Sequence, residues 1–173
     1  MRPGDVLKSA SGKTVEVVNT DAEGRLILGD GLWYARQLGA THLVDVATLT
    51  GAIVVALGHV NAGLFSNDDD FAALVEKAAR RGGDRVARLP LDPEYDVCLS
   101  SAVADVKNLA GREGGSISAA VFLREFVEEL PWVHLDIAGT VWNDQADQNQ
   151  IPHGPSGAPA RTFVHLAFEF AKL

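Results

Sequence analysis

The sequence alternates short apolar, β-branched segments with longer segments of helical periodicity along its whole length. The strongest helical pattern begins at Ser116, where apolar residues recur at intervals of three and four up to Leu130 and Pro131 ends the pattern. His42–Thr48 and Trp132–Ala138 are apolar segments of strand length. Because helices between strands serve as crossover connections, the pattern predicts an α/β fold with a mixed, mainly parallel sheet and helices on both faces.

The remaining elements have shorter patterns of the same two kinds. Further strands are predicted over Thr14–Val18, Gly63–Phe65 and Arg85–Leu89. A helix is predicted over Leu26–Leu38, and another between the acidic cap Asp68–Asp70 and Gly82.

The C-terminal part combines a predicted loop with a final helix. The polar segment from Asn143 to Pro159 is rich in Gly and Pro, which predicts a loop. In the helix that follows, one side carries Phe163, Leu166, Ala167 and Phe170. Val164 and Phe168 lie on another side, and a terminal helix that is apolar on two sides predicts contact with a partner chain or a further domain.

Composition and charge exclude several classes of protein. The 173 residues are 47% apolar and 22% charged, which is typical of one soluble globular domain. The net charge of −8 opposes nucleic-acid binding, because phosphate contacts need clustered Lys and Arg. The single Cys98 excludes an internal disulfide and cysteine-based zinc sites. It suits a reducing compartment, and no signal peptide is visible after Met1, so we expect a cytoplasmic protein.

The segment Val46–Asn67 carries no Asp, Glu, Lys or Arg and is long enough to raise the question of a membrane span. It contains glycines, however, and Asp45 and Asp68 flank it where basic anchors would be expected. We therefore expect a buried strand, turn, helix and strand, and no association with a membrane.

The segment that carries the most chemical information is residues 19–26 (NTDAEGRL), directly after a predicted strand. In extended chain, alternate residues project from one face, so Asp21 and Glu23 would point together. Two such carboxylates repel each other unless a cation lies between them, and a two-metal hydrolytic site needs oxygen ligands of this kind. Gly24 permits close backbone approach, and Arg25 offers a planar fork to an anion. The alternative is that Asp21 caps the following helix and Glu23 supports its first turn.

This octapeptide is similar to the signature of the leucyl (cytosol) aminopeptidase family, which are di-metal exopeptidases. Other segments resemble family segments in the family order: Pro3–Leu7, Asp45–Ala52, Ala56–Gly58, Arg88–Leu91, Gly114–Ala120 and His134–Thr140. A looser similarity covers Gly157–Thr162. Because the segments keep their order over nearly the whole chain, the sequence is identified as a member of this family, and its fold as an incomplete copy of the leucyl aminopeptidase catalytic domain.

The resemblance implies a role for each residue of the octapeptide. Asp21 and Glu23 would bind two divalent ions, zinc or manganese, with Glu23 bridging them. Arg25 would be the catalytic residue that holds a bicarbonate ion, which relays a proton from the attacking water. Backbone N–H groups would assist the bicarbonate at three positions: Ala22, Gly24 and Leu49.

The resemblance also implies a substrate cleft and a reaction. Thr48, Leu49 and Gly51 would line the cleft, and Ala138 and Val141 would close the pocket for the first side chain. The implied function is release of N-terminal residues, preferably leucine, from peptides.

The residues by themselves leave other interpretations open. Thr48–Gly51 also fits an ordinary strand-to-helix turn. Gly111–Ser116 fits an anion-binding loop at a helix N-terminus, or only a tight turn with Ser116 as the cap. Asp136, inside an apolar strand, fits a buried structural acid better than a catalytic one.

The resemblance further implies that residues 1–173 form only the C-terminal portion of the catalytic domain. The family's other metal ligands, one Lys and two Asp, lie upstream of Pro3–Leu7, as do a second Lys and an N-terminal domain. We therefore expect the isolated chain to be inactive without an upstream complementary fragment, and to form a homo-oligomer, a hexamer in the family. The alternatives are a degenerate binding or assembly module of the same fold, and an unrelated small-molecule function.

Overall fold

The computed structural model describes residues 1–144 and 153–171 of the 173-residue chain. The nine strands of these residues are β1 Val6–Lys8, β2 Thr14–Glu16, β3 Leu43–Ala47, β4 Ala62–Ser66, β5 Val86–Arg88, β6 Val106–Lys107, β7 Trp132–Asp136, β8 Trp142–Asn143 and β9 Gly154–Pro155. The helices are α1 Glu23–Gln37, α2 Gly51–Leu57, α3 Asp69–Gly82, α4 Gly115–Arg124 and α5 Ala160–Phe170, and a 3-10 helix covers Pro93–Leu99. The predicted loop from Asn143 to Pro159 lies partly outside the described residues.

A four-stranded sheet in the order β3-β7-β4-β5 forms the centre of the fold. β3 runs parallel to β7, and β4 runs parallel to β5, whereas β4 and β7 are antiparallel. The predicted mixed, mainly parallel sheet is confirmed here. A smaller sheet, β1-β2-β6, was not predicted as a separate unit; β2 pairs antiparallel with β1 and parallel with β6.

Side chains of the central sheet alternate between two cores. Trp132 of β7 belongs to the core beneath α1, α2 and α4, which we call the first face. Its neighbours Val133 and Leu135 belong to the core beneath α3 and α5, the second face. Helices therefore cover both faces, as predicted, and β3, β4 and β7 contribute side chains to both cores.

The uncharged segment Val46–Asn67 contributes to β3, α2 and β4, which confirms the predicted order of strand, helix and strand. The predicted burial holds for β4, whereas α2 buries only Ile53 and its Val55 is 90% exposed. Among residues 1–144 and 153–171, no helix has the length and apolar character needed to cross a membrane.

The helix from the Ser116 region ends earlier than predicted, at Arg124 rather than at Leu130. The next backbone N–H groups donate to carbonyls three residues back, and Glu128 has a left-handed φ of 52°. Phe126 and Val127 remain buried although they follow the helix. Turns of this type keep positions i and i+3 on one side, so the apolar spacing continues beyond the end of the α-helix.

The buried side of α5 combines polar and apolar residues. Thr162, Leu166 and Glu169 are buried, whereas Phe163 and Ala167, which the sequence analysis placed on one apolar side with Leu166, are exposed. The reason is pairing across to α3: Glu169 accepts from Lys77 Nζ at 2.7 Å and also pairs with Arg81. A paired carboxylate can occupy the inner side of a helix that apolar spacing alone would assign to Phe163.

Gly139 lies where the connection after β7 closely approaches the connection between α2 and β4. A Cβ at Gly139 would lie 2.2 Å from the carbonyl oxygen of Gly58, whereas a Cβ at Gly31, inside α1, would meet nothing within 4 Å. We expect Gly139→Ala to lower the free energy of unfolding by about 1–3 kcal/mol, because backbone must move. The matched Gly31→Ala should raise it by about 0.5–1 kcal/mol through helix propensity. Urea denaturation measures both, and an unchanged stability of Gly139→Ala would contradict the close contact.

Candidate metal and anion site

The segment that carries Asp21 and Glu23 is a turn followed at once by α1. The helix begins at Glu23, not at Leu26 as predicted, and Ala22 is its N-cap. In the turn, the backbone N–H of Asp21 donates to Oδ1 of Asn19 at 2.9 Å. The expectation that both carboxylates project from extended chain is therefore wrong, because Asp21 lies in a turn and Glu23 in the first turn of a helix.

The two carboxylates have no internal partners. Asp21 and Glu23 are exposed, and within the described part of the chain neither side chain makes a hydrogen bond or an ion pair. The alternative that Asp21 caps the helix is wrong, since α1 has no side-chain cap hydrogen bond. Two acidic side chains thus lie two positions apart in sequence with their oxygens free for a cation.

Arg25 lies in the same turn of α1 but points into the protein, where it is only 4% exposed. Its Nε and Nη1 have no hydrogen-bond partner among the described residues. Burial lowers the pKa of the guanidinium to about 10, although the negative charge of Asp136 acts in the opposite direction. A buried cation with unused donors is costly, and its planar fork matches a carboxylate or a carbonate-like anion.

A cleft of about 430 Å³ lies between the N-terminal ends of α1, α2 and α4. Asp21, Ala22 and Arg25 line it from α1, and Leu49 and Gly51 line it from the β3–α2 connection. The other lining residues are Asn19, Thr50, Ala52, Leu109, Ala110, Gly111, Arg112 and Gly115. Because the first N–H groups of a helix lack internal partners, the first turns of α1 and α4 add partial positive charge to this cleft.

Not every predicted site residue lines this cleft. Gly24 lies close to it, since a Cβ there would be 3.6 Å from Leu49 Cδ1. Glu23 and Thr48 are exposed but are not among the lining residues. Ala138 packs against the core of the first face and Val141 against the core of the second. The structure therefore does not bring these last two side chains into one wall of the cleft.

Asp136, at the end of β7, organises the β3–α2 connection. The carboxylate is 1% exposed and accepts hydrogen bonds from the backbone N–H groups of Leu49 at 3.1 Å and Ala138 at 3.2 Å. Thr50 Oγ1 donates to it at 2.6 Å and accepts from Ile53 N, so Thr50 is the N-cap of α2. This supports the interpretation of Asp136 as a structural acid. It also means that the Leu49 N–H, predicted to assist bicarbonate, is already donated to a carboxylate.

Two buried polar groups on the first face were missed by the sequence analysis. Asp45 accepts from Trp132 Nε1 at 2.6 Å and contacts His134 Nδ1 at 2.6 Å, beside but not within the cleft. Asn108, after β6, is fully buried and hydrogen-bonded to the turn before α1. The alternation of β7 could have indicated that His134 faces inward, but β6 is only two residues long and offers no such signal.

The fold and cleft define the class of this chain: an α/β domain with a cleft beyond the carboxyl end of β3, the usual position of ligand sites in open α/β sheets. The model of the "Cytosol aminopeptidase family, catalytic domain" matches residues 1–164. The chain belongs to this family.

Relatives and solved structures agree with that assignment. The chain is 57% identical over 169 residues to a probable cytosol aminopeptidase of Solibacter usitatus, covering 98% of this chain and 35% of that protein. It is 53% identical over 169 residues to one of Koribacter versatilis, covering 98% and 33%. A mutant of tomato leucine aminopeptidase superposes with a TM-score of 0.90 at 44% identity, covering 98% of this chain and 32% of that one. The bottromycin maturation enzyme BotP gives 0.95 at 41%, covering 99% and 38%. The chain thus spans about a third of the length of these relatives.

Thr50 offers a direct test of the Asp136 arrangement. Thr50→Ala removes the cap of α2 and the hydroxyl that donates to Asp136, so we expect the free energy of unfolding to fall by about 1–2 kcal/mol. Thr50→Ser keeps both hydrogen bonds and should stay within about 0.5 kcal/mol of the parent. Urea denaturation with far-UV circular dichroism distinguishes the two, and equal losses in both variants would argue against the arrangement.

Proposed function

We propose that this chain supplies part of the active site of a metal-dependent aminopeptidase that releases N-terminal residues, preferably leucine, from peptides. The observation that carries the proposal is that three charged side chains without hydrogen-bond partners lie within five residues at the start of α1. Asp21 and Glu23 are exposed carboxylates, and Arg25 is a buried cation. Membership of the cytosol aminopeptidase family and the names of the relatives support it. Their names also suggest a cytoplasmic location for this chain.

Asp21 and Glu23 are suited to hold two divalent ions, zinc or manganese, with Glu23 between them. Bound there, such ions would polarise the scissile carbonyl and lower the pKa of a water molecule. Two carboxylates do not complete the coordination of two ions, and the described residues contain no group of three or more His, Cys, Asp and Glu that could hold one. We propose that the remaining ligands come from other polypeptide, and that residues 1–173 are the C-terminal portion of the catalytic domain.

Arg25 is suited to hold bicarbonate. Its buried Nε and Nη1 groups carry unused N–H donors, and the backbone N–H groups of Ala22 and Gly24 lie at the start of the same helix. Leu49 N–H can take part only by sharing its hydrogen bond with Asp136. A bicarbonate held there would accept and pass on a proton close to the carboxylates.

The substrate proposal places the peptide in the cleft lined by Leu49 and Gly51, with Thr48 at its edge. Ala138 and Val141 would close the first side-chain pocket from the chain after β7. We further propose a homo-oligomer, a hexamer by family resemblance. The exposed apolar face of α5 supports it, with side chains at Phe163, Val164 and Phe168 that are 39%, 56% and 61% exposed.

Glu23→Gln tests the metal role. The chain is combined with the upstream part of the Solibacter usitatus relative, and hydrolysis of a leucine anilide is measured in manganese. We expect activity with the parent chain and a loss of about 100-fold or more with Glu23→Gln, because the amide is a poor metal ligand. The matched control Glu94→Gln changes an exposed Glu that does not line the cleft, and should stay within about twofold. Absence of activity in every combination would favour a non-catalytic module.

Arg25→Met tests the anion role through two effects of opposite sign. Removing a buried cation that has no internal partner should raise the free energy of unfolding by about 1–3 kcal/mol, while activity in the combined assay falls. Bicarbonate should raise the melting temperature of the parent chain but not that of the variant, since ligand binding stabilises only a folded state that binds it. Arg80→Met is the control, because the Arg80 side chain is 70% exposed on α3. A destabilised Arg25→Met, or an equal bicarbonate shift in both, would contradict the anion site.

A further inference from the structure

We propose that Asn108 is a positioning residue: its buried side-chain amide fixes the path of residues 18–22 and thereby sets where the Asp21 and Glu23 carboxylates stand. This inference rests on the proposed function, in which those carboxylates bind metal ions. Nothing in the family resemblance assigns a role to Asn108.

The backbone places Asn108 next to the turn. β6 pairs parallel with β2, and the N–H of Asn108 continues that ladder by donating to Glu16 O at 2.9 Å. Asn108 is therefore held at the end of the small sheet where the chain leaves β2 for the site. Its exposed fraction is 0%.

The side-chain amide of Asn108 is fully used, and every partner is backbone of residues 18–22. Oδ1 accepts from the N–H groups of Val18 at 2.8 Å and Asn19 at 3.3 Å. Nδ2 donates to the carbonyls of Asn19 at 2.7 Å and Ala22 at 3.4 Å. A primary amide has two donor hydrogens and two acceptor positions, so these four contacts use its whole capacity.

These contacts take the place of the strand pairing and the helix cap that usually fix a segment between a strand and a helix. Residues 18–22 belong to no strand, and Ala22, the N-cap of α1, makes no side-chain cap hydrogen bond. The Asn108 contacts fall on Val18 and Asn19, before Asp21, and on Ala22, directly before Glu23. The amide therefore holds the backbone on both sides of Asp21 and at the N-cap of the helix carrying Glu23. Outer groups that orient metal ligands change metal affinity without touching the ion.

The hydrogen bonds of the amide, rather than its volume, hold residues 18–22 in place. Asn108→Asp keeps the shape and the acceptor for Val18, but turns Nδ2 into an oxygen that faces the carbonyls of Asn19 and Ala22. Asn108→Leu replaces the amide with an apolar group of similar size and removes all four hydrogen bonds. Both variants should let residues 18–22 move, Asn108→Leu because all four hydrogen bonds are lost and Asn108→Asp because a buried carboxylate oxygen would face two carbonyls.

The experiment compares these variants with a control of equal burial elsewhere. Thr162 is 0% exposed on the second face and donates from Oγ1 to Asp84 at 2.6 Å, so Thr162→Val removes a buried hydrogen bond far from residues 18–22 in the chain. Manganese affinity is measured by electron paramagnetic resonance of free Mn²⁺, with the chain combined with the upstream part of the relative. We expect Asn108→Leu to weaken manganese binding by about 10- to 100-fold and Thr162→Val to leave it within about twofold.

A second readout needs no metal. In the chain alone, hydrogen exchange of the Val18 and Asn19 amides should speed up in both Asn108 variants, while exchange in α3 and α5 stays as in the parent. Manganese affinity equal to that of Thr162→Val, or unchanged exchange at residues 18 and 19, would overturn the inference. If the parent chain itself binds no manganese, the proposed function fails, and the exchange experiment still decides whether Asn108 holds the turn. If Asn108→Leu does not fold, Asn108→Asp carries the same comparison.

Discussion

A single buried carboxylate, that of Asp136, joins the main elements around the cleft. It receives the hydroxyl that caps α2, the N–H of Leu49 after β3 and the N–H of Ala138 after β7. Leu49 and Thr50 lie 87 and 86 residues before Asp136 in sequence, so their hydrogen bonds close a long loop. The same negative charge favours the protonated form of Arg25, whose pKa burial otherwise lowers. The part of the cleft formed by the β3–α2 connection therefore depends on one acid.

The site divides opposite charges between its interior and its rim. Arg25 is buried with unused donors, and Asp21 and Glu23 are exposed with unused oxygens. The buried Arg25 is unfavourable for the isolated fold, because a buried cation loses hydration. A planar anion bound to its unused donors would offset that cost. A buried charge without a hydrogen-bond partner at a cleft is a reason to propose a function for it.

Particular residues show how far the sequence predicted the structure. The octapeptide at residues 19–26 indicated a candidate site, but the extended-chain geometry expected for it was wrong, because helical structure starts at Glu23 rather than at Leu26. Apolar spacing located α4 but not its end, since tight turns after Arg124 preserve the spacing. On α5 the apolar spacing did not indicate the burial of Glu169, which Lys77 and Arg81 of α3 allow by neutralising its charge.

The sequence alone determined the fold class, the order of most elements and the family, because these depend on local periodicity and on motifs that are contiguous in the chain. Only the tertiary structure decided that Arg25 is buried without a partner, that Asp136 holds the β3–α2 connection and that Asn108 binds the turn before α1. Each of these facts joins residues separated by 80 to 110 positions or reports the absence of such a partner. A hydrogen bond between distant positions leaves no periodic trace in the sequence, so it becomes visible only when the chain has folded.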